Sequence, residues 1–318
     1  MSPRRRTGRK ALAALLPIVL IVAAAVVAMT VWLVYSVTRP PRRAYLVTPE
    51  KFARLSDRGL KATEETWQNR DGTHARGWLV RGTEGAPAVL LLHPYGADRS
   101  WLLNLGVKIN ETTNMTVLLP DLRGHGENPP VATTGFGTDE AEDVRAALSY
   151  LRGLKGPQGH SLVGGPLGIY GVELGAYAAL AAASQESDVR ALVLDSVPDN
   201  SDEVLNRAVN DRAGIDNGAL RFLARLGSRF YFAGRYKNDA ACTLAESLGD
   251  RQVLLLSGEG AGRLRQTTET LANCFPTRTN VETHTDLPLT GLKLASASPE
   301  QDEAYDRLLI DFFARTLR

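Results

Sequence analysis

The sequence predicts an α/β protein: a mostly parallel sheet covered by helices on both faces, preceded by one helix apolar enough to span a membrane. Three observations carry this. Short apolar runs such as Ala88–His93 (AVLLLH) and Val189–Leu194 read as strands buried on both faces, and they alternate with segments of helical periodicity. A glycine-framed turn joins an apolar run to a small-residue helix across Leu167–Leu180 (LGIYGVELGAYAAL). Residues Ala11 to Thr38 carry no charge and are mostly Ala, Val, Leu and Ile.

Taken in order, residues 1–10 form a basic tail and 11–36 the apolar segment, whose length exceeds the about 20 residues that cross a hydrocarbon core. Five basic residues precede the segment and three follow it, which favours a cytoplasmic N-terminus and places the remainder outside the cytoplasm. A cleaved signal peptide is the competing reading, but the run continues through Val31–Val34, beyond the usual h-region of roughly 7–15 residues. Residues 37–63 read as a linker and entry segment, with Arg39-Pro40-Pro41-Arg42-Arg43 as a stiff spacer at headgroup level. The chain from 64 to 318 reads as one domain.

Within it, Glu65–Arg81 predicts two strands around the Asp71-Gly72 turn. Further strands are expected at Ala88–His93, Met115–Leu119, Leu167–Val172, Val189–Leu194, Gln252–Leu256 and Val281–Leu287. Helices are expected from Trp101, over Glu140–Leu151, after Glu173, over Leu264–Leu271 and over Glu300–Leu317. No strand pattern appears at about 200–250, where Val204–Val209 and Leu220–Phe232 read as the amphipathic helices of an inserted lid.

The 37 Lys and Arg against 35 Asp and Glu conceal an asymmetry. Eight of the positives lie in the first 43 residues, where there are no acids, so the rest of the chain is acidic by six charges. That argues against a nucleic-acid-binding face. No Cys/His group has metal-ligand spacing, and Gly258-Glu259-Gly260-Ala261-Gly262 fails as a dinucleotide fingerprint because Arg263 stands where the last glycine is needed. No cofactor or metal is therefore expected. Cys242 and Cys274, the only cysteines, read equally as a disulfide or as two buried thiols.

Three motifs in sequence order give the chain a family resemblance: VLLLHPYGADRS at Val89–Ser100, DLRGHGEN at Asp121–Asn128 and GVELG at Gly171–Gly175. Together they resemble the α/β-hydrolase superfamily over roughly Glu65–Leu317, particularly its membrane-anchored or exported serine-hydrolase-like members. The resemblance implies a nucleophile at the centre of G-x-S-x-G, an acid after a late strand and a histidine after the last one. Here those positions hold Glu173, Ala261 and Leu292, so the triad reads as degenerate. Without a base a hydroxyl is a poor nucleophile, and a glutamate attacking carbon would need a histidine to activate the water that releases its ester. Of the five histidines, His93 and His125 lie in the motif turns, His74 on the hairpin, His160 in a glycine-rich loop and His284 in the last strand.

The expected function is thus a pseudohydrolase that binds or scaffolds. Its pocket, framed by Tyr95, Glu173, Leu174 and Leu292, is expected to take a small acyl or peptide-like ligand, and the lid to offer a surface for a protein partner. Glu173 is expected to fold onto the Leu174 amide at the helix N-terminus. The alternative is an active ester or amide hydrolase with relocated groups, Glu173, Asp199 or His284, although Asp199 also reads as the cap of the helix that follows it.

Overall fold

The apolar runs segregate their side chains by parity, and this builds the core. In the third strand, Val89 and Leu91 join one buried cluster with Val117, Leu119, Tyr170 and Val193, while Leu90 and Leu92 join the other with Leu118, Ile169 and Leu192. Because successive side chains point to opposite faces, a strand apolar at every position needs a helical layer on each side. The structure, a computed structural model, describes residues 3–41, 44–55, 62–127 and 131–318. Parts of the expected tail, linker and entry segment (residues 1–2, 42–43 and 56–61) and Asn128 of the second motif lie outside the described residues.

Eight strands form one sheet: β1 (Ala62–Gln68), β2 (His74–Val80), β3 (Ala86–Leu92), β4 (Thr116–Pro120), β5 (Val163–Val172), β6 (Val189–Asp195), β7 (Gln252–Gly258) and β8 (Val281–Leu287). Their order is β1-β2-β4-β3-β5-β6-β7-β8. The β1–β2 and β2–β4 pairs are antiparallel and the rest parallel. This is the mostly parallel architecture expected, and the strand ends of β3, β5, β6 and β7 converge on one edge.

The helices are α1 (Pro3–Thr38), α2 (Pro49–Leu55), α3 (Leu103–Thr113), α4 (Thr138–Gly153), α5 (Leu174–Ala183), α6 (Ser201–Ala213), α7 (Gly218–Tyr231), α8 (Ala241–Glu246), α9 (Arg263–Leu271) and α10 (Pro299–Thr316). Helices α4 and α5 contribute to one buried cluster, α3 and α10 to the other. Helix α10 starts where the sequence supplies a capping box, Ser298 with Gln301, and Pro299 in its first turn. Two short helices escape the periodicity reading, α2 and α8, each too short to show a full apolar stripe.

Between β6 and β7 the regular elements are all helices, α6, α7 and α8. The cap of α6 is Asn200, whose side chain accepts from the Glu203 amide at 3.1 Å, and not Asp199. An Asn at this position satisfies the same orphan donor and leaves Asp199 turned outward. Cys242 and Cys274 are bonded to each other with Cα atoms 5.1 Å apart, tying α8 to the chain just past α9.

Helix α1 contains an apolar stretch, Leu15–Thr38, long enough to cross a membrane. It is exposed over most of its length, but its last turns are built into the protein: Leu33, Val34 and Val37 are buried against the α6–α7 pair. The Val37 carbonyl accepts from the Tyr95 hydroxyl at 2.7 Å and the Thr38 carbonyl from the Thr134 amide at 2.9 Å. Two of the orphan carbonyls of a helix C-terminus are satisfied in this way.

Candidate functional site

The turn between β5 and α5 is tight because two glycines remove side chains that have no room. A Cβ on Gly171 would lie 2.4 Å from the Gly175 carbonyl oxygen, and one on Gly175 would lie 2.4 Å from the Leu92 carbonyl oxygen. With strand, turn and helix pressed together, Glu173 is forced to φ 48°, ψ −105°, a conformation that costs a non-glycine residue about 1–3 kcal/mol. Its side chain emerges at the converging strand ends, beside the N-terminus of α5.

One carboxylate oxygen, Oε2, accepts hydrogen bonds from two backbone amides, Tyr95 and Leu174, both at 2.9 Å. The other, Oε1, lies 3.5 Å from Nε of Arg207, on α6 of the lid. Burial raises the Glu173 carboxyl above the ordinary range, opposed by Arg207 and the two amides. One donor comes from the loop after β3 and the other follows the elbow residue, the pair of positions that stabilise an oxyanion in acyl transfer on this kind of turn. The chain's own carboxylate occupies both.

A cavity of about 270 Å³ adjoins Glu173, lined also by Pro94, Tyr95, Trp101, Arg207, Asp211, Gly260, Leu292 and Lys293. Tyr95, Glu173 and Leu292, named from the sequence, line this one cavity. Leu174 contributes only its amide; its side chain is fully buried in the core, since the first turn of α5 packs against the sheet. At the expected acid position Ala261 is buried and its neighbour Gly260 borders the cavity. Asp199 lies in a separate polar groove with Asn206, Arg221 and Arg263, and His284 sits on the edge strand β8. Neither lines the cavity at Glu173, because the lid helix that follows Asp199 and the outward position of β8 carry them elsewhere.

None of the five histidines is among the cavity-lining residues. His93 precedes the wall residue Pro94 and His125 packs against the wall residue Tyr95, and both are buried. His93 Nε2 accepts from the Leu122 amide at 3.0 Å, so its proton is on Nδ1 and donates to the Pro94 carbonyl at 2.9 Å. Burial lowers its pKa to about 4. His125 is held at 2.9 Å from the Arg123 carbonyl, edge-on to Tyr95, and burial beside His93 lowers it to about 3. Both are neutral at ordinary pH and brace the two loops against each other.

Sequence reasoning missed Arg207, Asp211 and Lys293, which supply most of the charge at the cavity. No local signal marks them, since each lies on a polar lid or loop surface and only folding turns it inward. It also missed a second buried carboxylate one strand away. Asp195, at the end of β6, accepts from the Gly291 amide at 2.7 Å, from the Ser196 hydroxyl at 2.6 Å and from the Tyr305 hydroxyl, and Tyr305 meets the Tyr170 hydroxyl at 2.8 Å. Burial lifts Asp195 to about 6. This carboxylate holds the segment carrying Leu292 and Lys293 against β6. The apolar strand terminating in Asp-Ser was its one legible sign.

A family model described as the alpha/beta hydrolase family matches residues 72–315. The chain is similar in structure to an esterase from Pyrococcus furiosus (TM-score 0.64, 17% identity, 88% of this chain and 98% of that one). It is also similar to a dienelactone hydrolase from Anabaena variabilis (0.56, 16%, 81% and 99%) and to the α/β hydrolase GrgF from a Penicillium species (0.59, 17%, 81% and 99%). At these identities the likeness speaks for the fold. Comparison with curated protein sequences yields no match.

Proposed function

The chain belongs to the α/β hydrolase family, and from that premise we propose that it is a membrane-anchored, catalytically silent member that uses its elbow cavity to bind a small ligand. The observation that carries this reading is the placement of Glu173 Oε2 on both amide donors that would otherwise stabilise a reacting oxygen. A substrate carbonyl entering the cavity meets a carboxylate in place of donors, and no imidazole stands by to move a proton. The electrostatic stabilisation that usually contributes most to acyl transfer is thereby used up inside the protein.

The same cavity suits binding. Tyr95, Trp101 and Leu292 give it apolar walls, while Arg207 and Lys293 offer cationic donors at its rim. Glu173 and Asp211 line the cavity as well, so it offers groups of both signs, and a small acyl or peptide-like molecule fits that chemistry. Helix α1 is the anchor in this reading: its exposed apolar surface ends in a segment integrated with the domain, and the basic tail sits on the cytoplasmic side.

The test is ester turnover and fluorophosphonate labelling of the full chain in lipid nanodiscs. The expected result is no turnover above buffer and no labelling. Measurable hydrolysis that disappears in Glu173→Ala would overturn the reading and make Glu173 a catalytic residue.

A further inference from the structure

Helix α7 presents a surface that its own fold leaves uncovered. Phe222, Leu226 and Phe230, spaced at i, i+4 and i+8, are 58%, 42% and 78% exposed, and Tyr231 beside them is 47% exposed. Such spacing places the three on one helix face. Arg221, Arg225 and Arg229 precede Phe222, Leu226 and Phe230 by one residue each; Arg221 and Arg225 line the polar groove that also holds Asp199, and Arg229 is 58% exposed at the edge of the stripe. Arg221 pairs with Asp216 at 2.8 Å and Arg229 with Asp202 at 3.1 Å. An apolar stripe with an exposed arginine at its edge is the pattern of a helix lying in a membrane boundary.

The position of α7 is set by α1. Gly227 lets the two helices approach closely, since a Cβ there would lie 2.6 Å from Val34 Cγ2 and 2.7 Å from Thr30 Cγ2. Counted from Ala11, where the uncharged run begins, about 20 residues at 1.5 Å each cover the hydrocarbon thickness, which brings its outer boundary to the neighbourhood of Thr30, one turn before Val34. Helix α7 therefore crosses α1 at the depth where acyl chains give way to headgroups. Val31 and Tyr35, which follow the contact residues Thr30 and Val34 in the chain, are 63% and 61% exposed, so the span keeps an uncovered apolar side where α7 packs on it.

We propose that α7 is seated in the outer boundary of the bilayer, with Phe222, Leu226 and Phe230 among acyl chains and the exposed Arg229 at the level of lipid phosphates. The proposal rests on the reading of α1 as a membrane span. The lipid is chosen over a protein occupant because α7 is packed on that span at boundary depth, where the span keeps an exposed apolar side of its own. Since α6, packed on α7, carries Arg207 to Glu173, one wall of the cavity is held by a helix that the membrane fixes in place.

Depth-dependent quenching tests it on the full chain in nanodiscs, using an environment-sensitive dye on Leu226→Cys, on Val22→Cys within α1, and on His160→Cys in an exposed loop preceding β5. We expect headgroup-proximal nitroxide lipids to quench the Leu226 label at least about twofold more than the His160 label, as for a helix buried several ångströms into the interface. Deep nitroxides should quench the Val22 label. If Val22 is quenched and Leu226 behaves like His160, the seat is wrong and the anchor stands. A Leu226 label shielded from both nitroxide lipids and aqueous iodide would mean that a second copy or another protein covers the stripe, which also overturns the proposal. An unquenched Val22 label would remove the anchor itself, and the seat with it.

Discussion

Two carboxylates end adjacent parallel strands, and the protein uses them differently. Glu173, after β5, faces the cavity and takes two amides and a distant guanidinium; Asp195, on β6, faces inward and takes an amide and two hydroxyls. Both are buried and both have raised pKa values for the same reason, desolvation. The difference lies in what the donors are for. Around Asp195 they belong to segments that must be held together, so the carboxylate is a strut. Around Glu173 they belong to a turn already fixed by Gly171 and Gly175, so the carboxylate fills a site that the fold would otherwise leave open. A buried charge can thus hold a structure together or occupy a binding position, and the identity of its donors distinguishes the two.

The largest effect that separates them is expected from Asp195→Ala, which leaves the Gly291 amide and one proton of the Tyr305–Tyr170 hydroxyl pair buried without an acceptor. At about 1–3 kcal/mol per unsatisfied group, denaturant unfolding should show a loss of roughly 2–5 kcal/mol. A smaller loss, about 1–3 kcal/mol, is expected for Glu173→Ala, because the two amides it frees sit beside the cavity, where water can reach them, and it should have a signature the first lacks. Acetate or formate can enter the opened cavity and take the vacated donors, so the thermal midpoint of Glu173→Ala should rise with carboxylate concentration while the wild-type and Asp195→Ala proteins do not respond. Equal rescue of both variants would erase the distinction drawn between strut and plug.

Titration sharpens the comparison from another side. Asp195 is raised from 3.8 to about 6 in the folded protein, so between those values the folded state binds a proton that the unfolded state has released. Stability attributable to this group therefore increases as pH falls through about 6 and is lost as pH rises again, with a full swing on the order of 3 kcal/mol. In Asp195→Asn the amide oxygen can serve Gly291 and Tyr305 while the amide nitrogen donates to Ser196. This variant should stay folded and lack that pH-dependent increment relative to wild type. A wild-type and variant pair with parallel stability curves from pH 4 to 6 would contradict the assignment.

The smallest effect is expected where a catalytic reading would look for the largest. Glu173→Ser restores G-x-S-x-G and frees the two amides, yet no histidine lines the cavity to take the serine proton. Ester hydrolysis should stay far below that of an intact triad, at most about 10³–10⁴-fold above the uncatalysed reaction, which is what an oxyanion site and binding give without a base. Rapid turnover would mean that one of the buried imidazoles, His93 or His125, reaches the cavity.

Most of the fold was legible because its information is local and repetitive. Apolar runs at β3, β4 and β6 name strands buried on two faces, the Asp71-Gly72 turn names a hairpin, and helical spacing names α4 and α10. The elbow was legible too, since only a close-packed strand, turn and helix need glycine at both 171 and 175. Helices α2 and α8 are shorter than the period that would reveal them, and Asp199 was a plausible cap until Asn200 proved the better placed of two neighbouring side chains.

The sequence by itself determined the α/β class, the order of strands and helices, the apolar N-terminal helix, and a glutamate at the elbow position, because each follows from composition and spacing along the chain. Only the tertiary structure decided that Glu173 meets both Tyr95 and Leu174 amides, that Arg207 and Lys293 border the same cavity, that Cys242 reaches Cys274, and that α7 lies across α1. Those are meetings between segments far apart in the chain, and their distances are set by how layers pack, a quantity no local pattern contains.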